Sequence, residues 1–321
     1  MRVLVTGGAG FIGSHLCERL INDGHSVTAI DDFSTGRASN LSHLEGEANF
    51  MLIEGSILNS EILKPLIGST DYVFHLAAAV GVFNIVNNPL ASLLTNIRGT
   101  ENVLEAAYET KTPVFLTSSS EVYGKNISDS LKESDDRILG SPVTLRWSYS
   151  EAKAIDESLA YAYFVEKKLE TRIVRFFNTV GPRQLGAYGM VVPRFVRSAI
   201  NGEPLTIYGD GTQTRCFAHV YDVIDAVIAV AFADNTIGKV INIGNNFEIS
   251  INGLAKKIIA ETDSKSEIVY VPYEEAYGVG IEDMERRVPN IDLIHQLVSW
   301  KPVRDLSTII ADISAEMQMG A

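Results

Sequence analysis

The chain has 321 residues, and 46% of them are hydrophobic, which is enough for one large core or two modest ones. Lysine and arginine total 27 against 40 aspartate and glutamate, so the formal net charge is −13 at pH 7. So acidic a surface repels phosphate backbones, which argues against a nucleic-acid-binding protein. An anionic ligand would therefore need arginines that locally oppose the field of the whole molecule.

Cysteine usage and hydropathy argue against further classes. Cys17 and Cys216 lie far apart and form no C-x-x-C pair, which fits neither a disulfide scaffold nor a zinc site. The N-terminus lacks the shape of a signal peptide. The longest apolar stretches, 72–83 and 226–233, are shorter than the roughly 18 residues that suggest a membrane span. We predict a cytoplasmic protein with no membrane partner and no metal.

Short apolar segments alternate with helical patterns in the first half of the chain. The strand-like segments are 2–6, 26–31, 50–55, 72–77 and 113–118, and another at 171–178 follows a helix that begins near Tyr149. Their valine, isoleucine, leucine and phenylalanine runs are typical of strands covered on both faces. This alternation predicts an α/β fold with a Rossmann-type, doubly wound parallel sheet.

After about residue 180 the pattern changes. Glycine and proline become frequent, and regular helices no longer separate the strands. We predict a sheet domain over 1–178, with a return of the chain to it at about 210–245. A smaller mixed α/β lobe would be formed mainly by 179–321. Pockets usually form where two such lobes meet.

A glycine-rich turn follows the first strand. Gly7, Gly10 and Gly13 form G-x-x-G-x-x-G between that strand and a helix. Gly7 permits the tight turn, Gly10 lets a pyrophosphate approach the backbone, and Gly13 lets the helix pack closely on the strand. The helix N-terminus offers free N–H groups to the phosphates. An ordinary turn rarely needs three glycines in this register, so we predict a dinucleotide site.

Asp31 ends the second strand, where a carboxylate can accept hydrogen bonds from both ribose hydroxyls of NAD. The same carboxylate would repel the 2′-phosphate of NADP, which favours NAD. Arg37 lies nearby in the sequence, so NADP is not excluded as the cofactor. Asp31 could also be a solvated turn residue, but its spacing from the glycines argues against this.

Tyr149 and Lys153 are four residues apart, which places them on one face of a helix. A neighbouring ammonium and a positive nicotinamide favour the phenolate and lower the tyrosine pKa, so Tyr149 could take a hydroxyl proton while hydride leaves for NAD. Most Y-x-x-x-K patterns are surface pairs. Here, however, the run 117–121 (TSSSE) ends the fifth strand at the carboxyl edge of the sheet, where ligands bind. A serine there could orient substrate or only cap the strand.

With these motifs, the sequence resembles the extended short-chain dehydrogenase/reductase family of nucleotide-sugar epimerases, dehydratases and decarboxylases. The matching segments cover most of the chain in a specific order: TGGAGFIGSH (6–15), HLAA (75–78), Asn96, TSSSEVYG (117–124), YSEAK (149–153), RFFNTVGPR (175–183) and GDGTQTRCFAHVYDV (209–223). The resemblance implies tightly held NAD in the sheet domain and a UDP-sugar in the second lobe.

The resemblance also implies the site residues. Asn178 would contact the sugar or a phosphate, Arg215 the diphosphate, and Arg194 the nucleotide channel. Asn178 could instead cap a strand, and Arg194 could be a surface charge. Ser56 departs from the pattern, because many relatives carry an adenine-contacting aspartate there. The implied cofactor contacts are Gly7, Gly10, Phe11, Ile12, Gly13, Asp31, Asp32, Ser56, Ile57, Leu76, Ala77, Ala78, Asn96, Thr117, Tyr149 and Lys153.

Members of the family share a first step, in which Tyr149 would take the O4 proton and C4 would pass hydride to NAD. Relatives that are 4,6-dehydratases resemble each other in an Asp-Glu pair where this chain has Ser120-Glu121, which argues against dehydration. A 4-epimerase only returns hydride to the other face of the 4-keto sugar, and Glu121 does not forbid that outcome.

A decarboxylase would instead lose CO2 from the β-keto acid formed on UDP-glucuronate. The Ser-Glu pair, RWSYSEAK (146–153) and AYGVGIEDMERRVPNI (276–291) resemble such enzymes. There Arg287 matches an arginine of the decarboxylation step, whereas in other relatives an arginine in this region binds phosphate. We rank decarboxylation ahead of 4-epimerisation. The predicted catalytic residues are Ser119, Ser120, Glu121, Tyr149, Lys153 and Arg287.

Two other protein classes fit the sequence less well. A non-catalytic NAD-sensing scaffold would tend to lose the tyrosine or the lysine, and an NADPH reductase would need an exchangeable cofactor. The resemblance implies a homodimer built on helices at about 97–110 and 149–167. Leu159, Tyr163 and Phe164 are candidate interface residues, unless they pack on the chain's own sheet.

Overall fold

The structure, a computed structural model, describes residues 1–81, 85, 87–186, 190–272, 275 and 284–319. Its strands in chain order are β1 (Arg2–Thr6), β2 (Ser26–Asp31), β3 (Phe50–Glu54), β4 (Tyr72–His75), β5 (Val114–Ser119), β6 (Thr171–Phe176), β7 (Thr179–Val180), β8 (Leu205–Tyr208), β9 (Thr214–Cys216), β10 (Ala218–His219), β11 (Val240–Ile243), β12 (Glu248–Ser250) and β13 (Ile268–Val271).

The α-helices of the described residues follow the same numbering by chain order. They are α1 (Phe11–Asn22), α2 (Ser60–Gly68), α3 (Pro89–Thr110), α4 (Ser148–Lys167), α5 (Val191–Asn201), α6 (Val220–Ala231), α7 (Ile251–Glu261), α8 (Asp292–Val298) and α9 (Leu306–Met319). Short 3-10 helices span Ala38–Leu44, Ser120–Tyr123, Leu145–Trp147 and Asp234–Thr236.

Seven strands of the described residues form one sheet in the order β11-β6-β5-β4-β1-β2-β3. Every neighbouring pair is parallel. The order reverses between β1 and β4, which is the switch point where doubly wound sheets bind ligands. The predicted Rossmann-type α/β fold is therefore confirmed. The fourth strand ends at His75 rather than residue 77, so 76–78 follow it as a loop.

The two faces of the sheet are covered by different helices. Val3 and Val5 pack in a core with α1, α6 and α8, whereas Leu4 between them packs on α2, α3 and α4. Because successive strand side chains point to opposite faces, a strand covered on both sides must be apolar throughout. This explains why β1 reads as a continuous apolar run rather than an alternating one.

A separate apolar core lies under the second part of the chain. It joins α5, α7, α9 and β8 through residues that include Phe195, Leu205, Leu254 and Ile309. Short strands pair around it: β8 with β13, β9 with β12, and β7 with β10. Between these pairings, β11 joins β6 in the large sheet. The division at residue 178 stays a prediction, since the chain crosses between the two cores more than once.

The apolar residues of α4 correct one expectation. Leu159 and Tyr163 pack against the core of the large sheet, and a Cβ on Gly238 would lie 2.3 Å from the Phe164 ring. These three residues therefore pack within the chain, the alternative left open above. The exposed apolar side chains of this helix are Ile155, Tyr161 and Val165.

None of the helices formed by the described residues is both long and apolar enough to cross a membrane.

Candidate active site

A cavity of about 410 Å³ lies at the carboxyl ends of the central strands. Its wall includes residues that follow β1, β2, β4, β5 and β6, together with Arg287 from the second part of the chain. Parallel strands deliver all these residues to the same edge of the sheet. The cavity is therefore where the fold class predicts a ligand.

The glycine turn brings backbone segments closer than side chains would allow. Gly7 has φ +70°, and a Cβ there would lie 2.7 Å from the Ala77 nitrogen. A Cβ on Gly13 would lie 2.1 Å from the Gly7 oxygen. Gly8, which the sequence motif did not single out, is also constrained, since its Cβ would lie 2.6 Å from the Ala29 Cβ. The turn is thus packed against β2, the loop after β4 and its own helix.

The residues of this turn fit a dinucleotide. Helix α1 has Gly10 as its N-cap, with no side-chain cap, so the helix start presents backbone to the cavity. Asp31 accepts hydrogen bonds from the Ala9 and Phe33 nitrogens, each at 2.9 Å, and its carboxyl faces the same cavity. Burial raises the pKa of Asp31, and these N–H donors oppose that rise. The glycine cradle and the anchored carboxylate are what NAD needs for its pyrophosphate and ribose.

Most predicted cofactor residues line this cavity. They are Gly7, Gly10, Phe11, Ile12, Gly13, Asp31, Asp32, Ile57, Leu76, Ala77, Ala78, Thr117, Tyr149 and Lys153. Ser56 and Asn96 lie outside the cavity wall formed by the described residues. Asn96 is buried, and its amide both accepts from the Ala79 nitrogen and donates to the Ala79 oxygen. Asn96 thus stabilises the loop after β4, which lines the cavity.

The Tyr149–Lys153 pair sits at the end of β5. Lys153 is buried, and its Nζ donates to the Thr117 carbonyl and to Asp156 Oδ2, both at 3.1 Å. The Ser119 side chain hydrogen-bonds Tyr149 and favours its phenolate. Ser119 Oγ also accepts from the Glu121 nitrogen at 3.2 Å, so it caps the following 3-10 helix as well. The capping interpretation of the serine is therefore seen in the structure, and orientation of substrate by its hydroxyl stays a prediction.

The sequence predicted a lowered pKa for Tyr149, and the protein's own groups do the opposite. Burial raises the pKa of Tyr149, and the carboxylates of Glu121 and Asp156 raise it further. Burial is the largest of these causes, and the Lys153 ammonium that was expected to oppose them is paired with Asp156. A paired ammonium favours a phenolate less than a free one does.

Glu121 is held between two arginines. Arg146 donates to both carboxylate oxygens at 2.6 and 3.1 Å, and Arg287 donates to Oε1 at 2.8 Å. Arg287 also donates to Ser120 Oγ at 3.3 Å. The two guanidiniums hold the pKa of Glu121 well below its usual range although burial acts in the opposite direction. Glu121 is thus a fixed anion at neutral pH that two guanidiniums share.

The predicted substrate residues divide into two sets. Asn178 and Arg287 line the cavity, and Asn178 Nδ2 donates to the Cys216 carbonyl at 3.0 Å. Arg215 lies outside the wall, but its charge is close enough to lower the pKa of Arg287. Arg194 also lies outside the wall of the described residues and stacks on Tyr208 at 4.5 Å. The first part of the matched segment 276–291, residues 276–283, is outside the described residues.

Two arginines of the cavity wall carried no role in the sequence analysis. Arg146 lies in the quoted segment 146–153, but its pairing with Glu121 across 25 residues gives no periodic signal. Arg183 lines the cavity; its guanidinium donates to Glu18 at 2.7 Å and its backbone nitrogen to the Glu316 carboxylate. Both arginines stand in segments that resemble the family, which was the available signal.

The fold and the site together define an NAD-dependent enzyme of the short-chain dehydrogenase/reductase type. The family model described as the NAD dependent epimerase/dehydratase family matches residues 3–244, and the chain belongs to this family.

Within this family, the chain is similar to proteins that act on UDP-uronates. The chain is 42% identical over 302 residues to UDP-N-acetyl-alpha-D-glucosaminuronate decarboxylase of Bacillus cytotoxicus, covering 94% of this chain and 92% of that protein. It is 37% identical over 304 residues to UDP-glucuronic acid decarboxylase 1 of Xenopus tropicalis, covering 94% and 68%. Among solved structures, UDP-glucuronic acid 4-epimerase of Bacillus cereus with UDP-glucuronic acid and NAD is 30% identical, with a TM-score of 0.90 and full coverage of both chains.

Proposed function

We propose that the protein decarboxylates a UDP-hexuronate, with UDP-glucuronate and its N-acetylated analogue as the candidate substrates. The observation that carries this proposal is the Arg146–Glu121–Arg287 cluster beside Tyr149 in the cavity wall. The decarboxylases named above support it by similarity over most of the chain.

The cluster fits a substrate with a carboxylate. Arg146 and Arg287 both pair with Glu121 and line the cavity, so a substrate carboxylate that enters here meets guanidinium donors. Arg287 is 6% exposed, and its Nε makes no hydrogen bond to any described residue. A buried guanidinium with an unsatisfied N–H gains stability from a second carboxylate. A neutral hexose would leave that N–H without a partner.

The first step belongs to Tyr149 and Lys153. NAD, when bound, supplies the hydride acceptor for C4 of the sugar. Tyr149 takes the O4 proton as the C4–H bond breaks, and Lys153 lies buried one helical turn away. The Ser119 hydroxyl, which hydrogen-bonds Tyr149, is placed to contact the same sugar oxygen. The product of this step is a 4-keto sugar whose C6 carboxylate is β to the ketone.

The second step follows from that chemistry. Breaking the C5–C6 bond releases CO2 and leaves the electron pair delocalised from C5 onto O4. Tyr149, now protonated, and Ser119 are hydroxyl donors in the cavity wall that would stabilise the charge developing on O4. Uptake of a solvent proton at C5 and return of the hydride to C4, with Tyr149 giving its proton back to O4, would complete the UDP-pentose. Glu121 stays ionised, so its contribution is to hold Arg146 and Arg287 in place.

A 4-epimerase is the second candidate, because the Bacillus cereus structure named above is a UDP-glucuronic acid 4-epimerase and covers the whole chain. In that case the same arginines would hold the carboxylate in the plane of the ketone, where the breaking bond cannot overlap with the carbonyl. Hydride return to the other face of the ring would then complete the reaction.

Product analysis tests the proposal. Purified protein is incubated with UDP-glucuronate, its N-acetylated analogue or UDP-glucose, without added cofactor, and the products are identified by mass spectrometry and NMR. A UDP-pentose from either uronate supports decarboxylation. An isomer of the starting uronate means 4-epimerase, and turnover of UDP-glucose alone means a neutral-sugar enzyme; either result rejects the proposal.

We also propose a homodimer that pairs α3 and α4 with their copies in a second subunit. Exposed apolar side chains on these two helices support it: Tyr108, Ile155, Tyr161 and Val165 are 40–52% exposed. Such a patch on neighbouring helices is typical of an interface. Size exclusion with light scattering tests it, with twice 35.1 kDa expected and a monomer mass contradicting it.

A further inference from the structure

Asp156 is a buried carboxylate that the proposed reaction does not yet use. It is fully buried on α4, one turn after Lys153. Its Oδ2 accepts from Lys153 Nζ at 3.1 Å, while its Oδ1 accepts no hydrogen bond of good geometry from any described residue. A buried anion is costly unless a charge or a hydrogen-bond network supports it. Its position therefore calls for a reason beyond packing.

A chain of polar side chains leads from Asp156 to the glycine turn. The Thr100 hydroxyl is close enough to Asp156 to support its charge, and Thr100 Oγ1 lies 3.1 Å from His75 Nε2. His75 Nδ1 lies 2.8 Å from Thr6 Oγ1, which accepts from the Ala77 nitrogen at 3.1 Å. Burial lowers the pKa of His75 to about 3, so the ring is neutral and relays hydrogen bonds without adding charge.

The charges around Tyr149 come from several elements. From the 3-10 helix after β5, Glu121 is paired with Arg146 and Arg287. From α4 itself, Lys153 and Asp156 pair with each other. From β4, His75 is neutral. The Lys153–Asp156 pair therefore contributes no net charge beside Tyr149, and loss of the Asp156 charge would leave an unbalanced ammonium there.

We propose that Asp156 is a positioning residue that holds the Lys153 ammonium and sets the pH at which Tyr149 gives up its proton. The proposal rests on the proposed function only for the identity of the reaction; the ion pair and the hydrogen-bonded chain stand without it. Because the charge of Asp156 offsets that of Lys153, Tyr149 stays protonated in the protein without NAD. The positive nicotinamide of bound NAD then adds the charge that favours the phenolate.

The test titrates Tyr149 directly, because the chain has 12 tyrosines and one must be isolated. Phenolate absorbance is followed against pH in NAD-saturated protein, and the signal of a Tyr149→Phe version is subtracted from each form. In Asp156→Asn the amide can still accept from Lys153, but the negative charge is gone. We expect the Tyr149 midpoint to fall by about one pH unit, the size of a single buried charge effect.

The matched control is Glu151→Gln, the same carboxylate-to-amide change on the same helix. Glu151 pairs with Arg137 near the surface at 3.2 Å. The Tyr149 midpoint in Glu151→Gln should therefore equal that of the wild type. Where Asp156→Asn does not fold, Asp156→Ser removes the same charge and leaves a smaller hydroxyl side chain that can accept from Lys153. The Tyr149 midpoint should fall in the same direction.

An unchanged Tyr149 midpoint in Asp156→Asn, or in Asp156→Ser where that variant decides, overturns the proposal. This titration needs no substrate, so it gives an answer even when neither uronate is decarboxylated. Where a substrate does turn over, the acid limb of NADH formation at saturating substrate should move to lower pH with the same variant. A purely structural role would lower the stability and leave that limb in place.

Discussion

Glu121 owes its character to two arginines that approach it from separate parts of the chain. Arg146 comes from the segment before α4, and Arg287 lies 166 residues further along the chain than Glu121. A buried ion-pair cluster is weak evidence for stability, but removal of one partner is costly because the others lose their counter-charge. Here the side chains that lose their counter-charge are Arg146 and Arg287, which are proposed to bind the substrate carboxylate.

We therefore expect Glu121→Gln to separate the two steps of the reaction. CO2 release should fall by roughly a hundredfold or more, the loss of a preorganised electrostatic contribution of about 3 kcal/mol. NADH formation on addition of UDP-glucuronate should persist, because Tyr149 and Lys153 are unchanged. Stopped-flow absorbance and product analysis on one sample measure both. Wild-type CO2 release in the variant would contradict the assignment.

The residues that carry chemistry through a sequence motif could be predicted, and those that act through tertiary contacts could not. Tyr149, Lys153 and Ser119 stand at recognisable spacings. Asp156 is three residues after Lys153, yet nothing in its spacing shows that it faces the ammonium rather than solvent. The predicted lowering of the Tyr149 pKa counts on the charge of bound NAD and stays a prediction for that state. The sequence did not show that burial, Glu121 and Asp156 raise this pKa in the protein itself.

Among the secondary-structure elements, the glycine turn and α1 depend on close backbone contact. We expect Gly13→Ala to weaken NAD binding at least tenfold and to lower the free energy of unfolding by about 1–3 kcal/mol, because the added Cβ would lie 2.1 Å from the Gly7 oxygen. Titration calorimetry and urea unfolding measure the two effects.

Gly68→Ala at the end of α2 is the control for this change. Its Cβ would meet only the Thr110 Cγ2 at 3.7 Å, an ordinary contact, and alanine is the better helix former. NAD affinity and stability should stay at wild-type values or rise slightly. Equal losses in the two variants would show that the backbone contact is not what matters.

Long apolar strands were easier to predict than short paired ones. The strands of the large sheet have 4–6 residues with strong apolar character, so their existence and parallel arrangement followed from the alternation with helices. Strands β7, β9 and β10 have only two or three residues. Their pairing partners lie at distant positions in the chain, which no local periodicity reveals.

Across the whole molecule, the charge of −13 coexists with a local cluster of cations. Arg146, Arg215 and Arg287 lie near one another, and the first two lower the pKa of Arg287 by charge repulsion. Arg194 does not belong to this cluster, and its guanidinium stacks on the Tyr208 ring. The acidic chain therefore places several cationic side chains at the cavity wall, beside Asp31, Asp32 and Glu121, as an anionic sugar nucleotide would require.

Two buried histidines predict how the stability of the molecule depends on pH. Burial lowers the pKa of His15 to about 4 and that of His75 to about 3, from an ordinary value of 6.5. As pH falls below 6.5, the unfolded chain takes up these protons and the folded chain does not. The stability is therefore complete above pH 6.5 and declines below it, until each folded pKa is reached.

Urea unfolding at a series of pH values checks this dependence. Each histidine should contribute a slope of about 1.4 kcal/mol per pH unit within its window. His75→Gln should lose one proton's share of that slope between pH 6.5 and 4. A slope identical to that of the wild type would show that His75 does not stay neutral in the folded protein.

Decarboxylation is measured by the release of CO2 from UDP-glucuronate, or its N-acetylated analogue, labelled at the carboxyl carbon. Purified protein without added NAD is followed until substrate is consumed, with a Tyr149→Phe variant as control. We predict one labelled CO2 for each UDP-pentose formed, and none from the control. Complete conversion of both uronates to isomers with the label retained in the sugar would contradict this prediction.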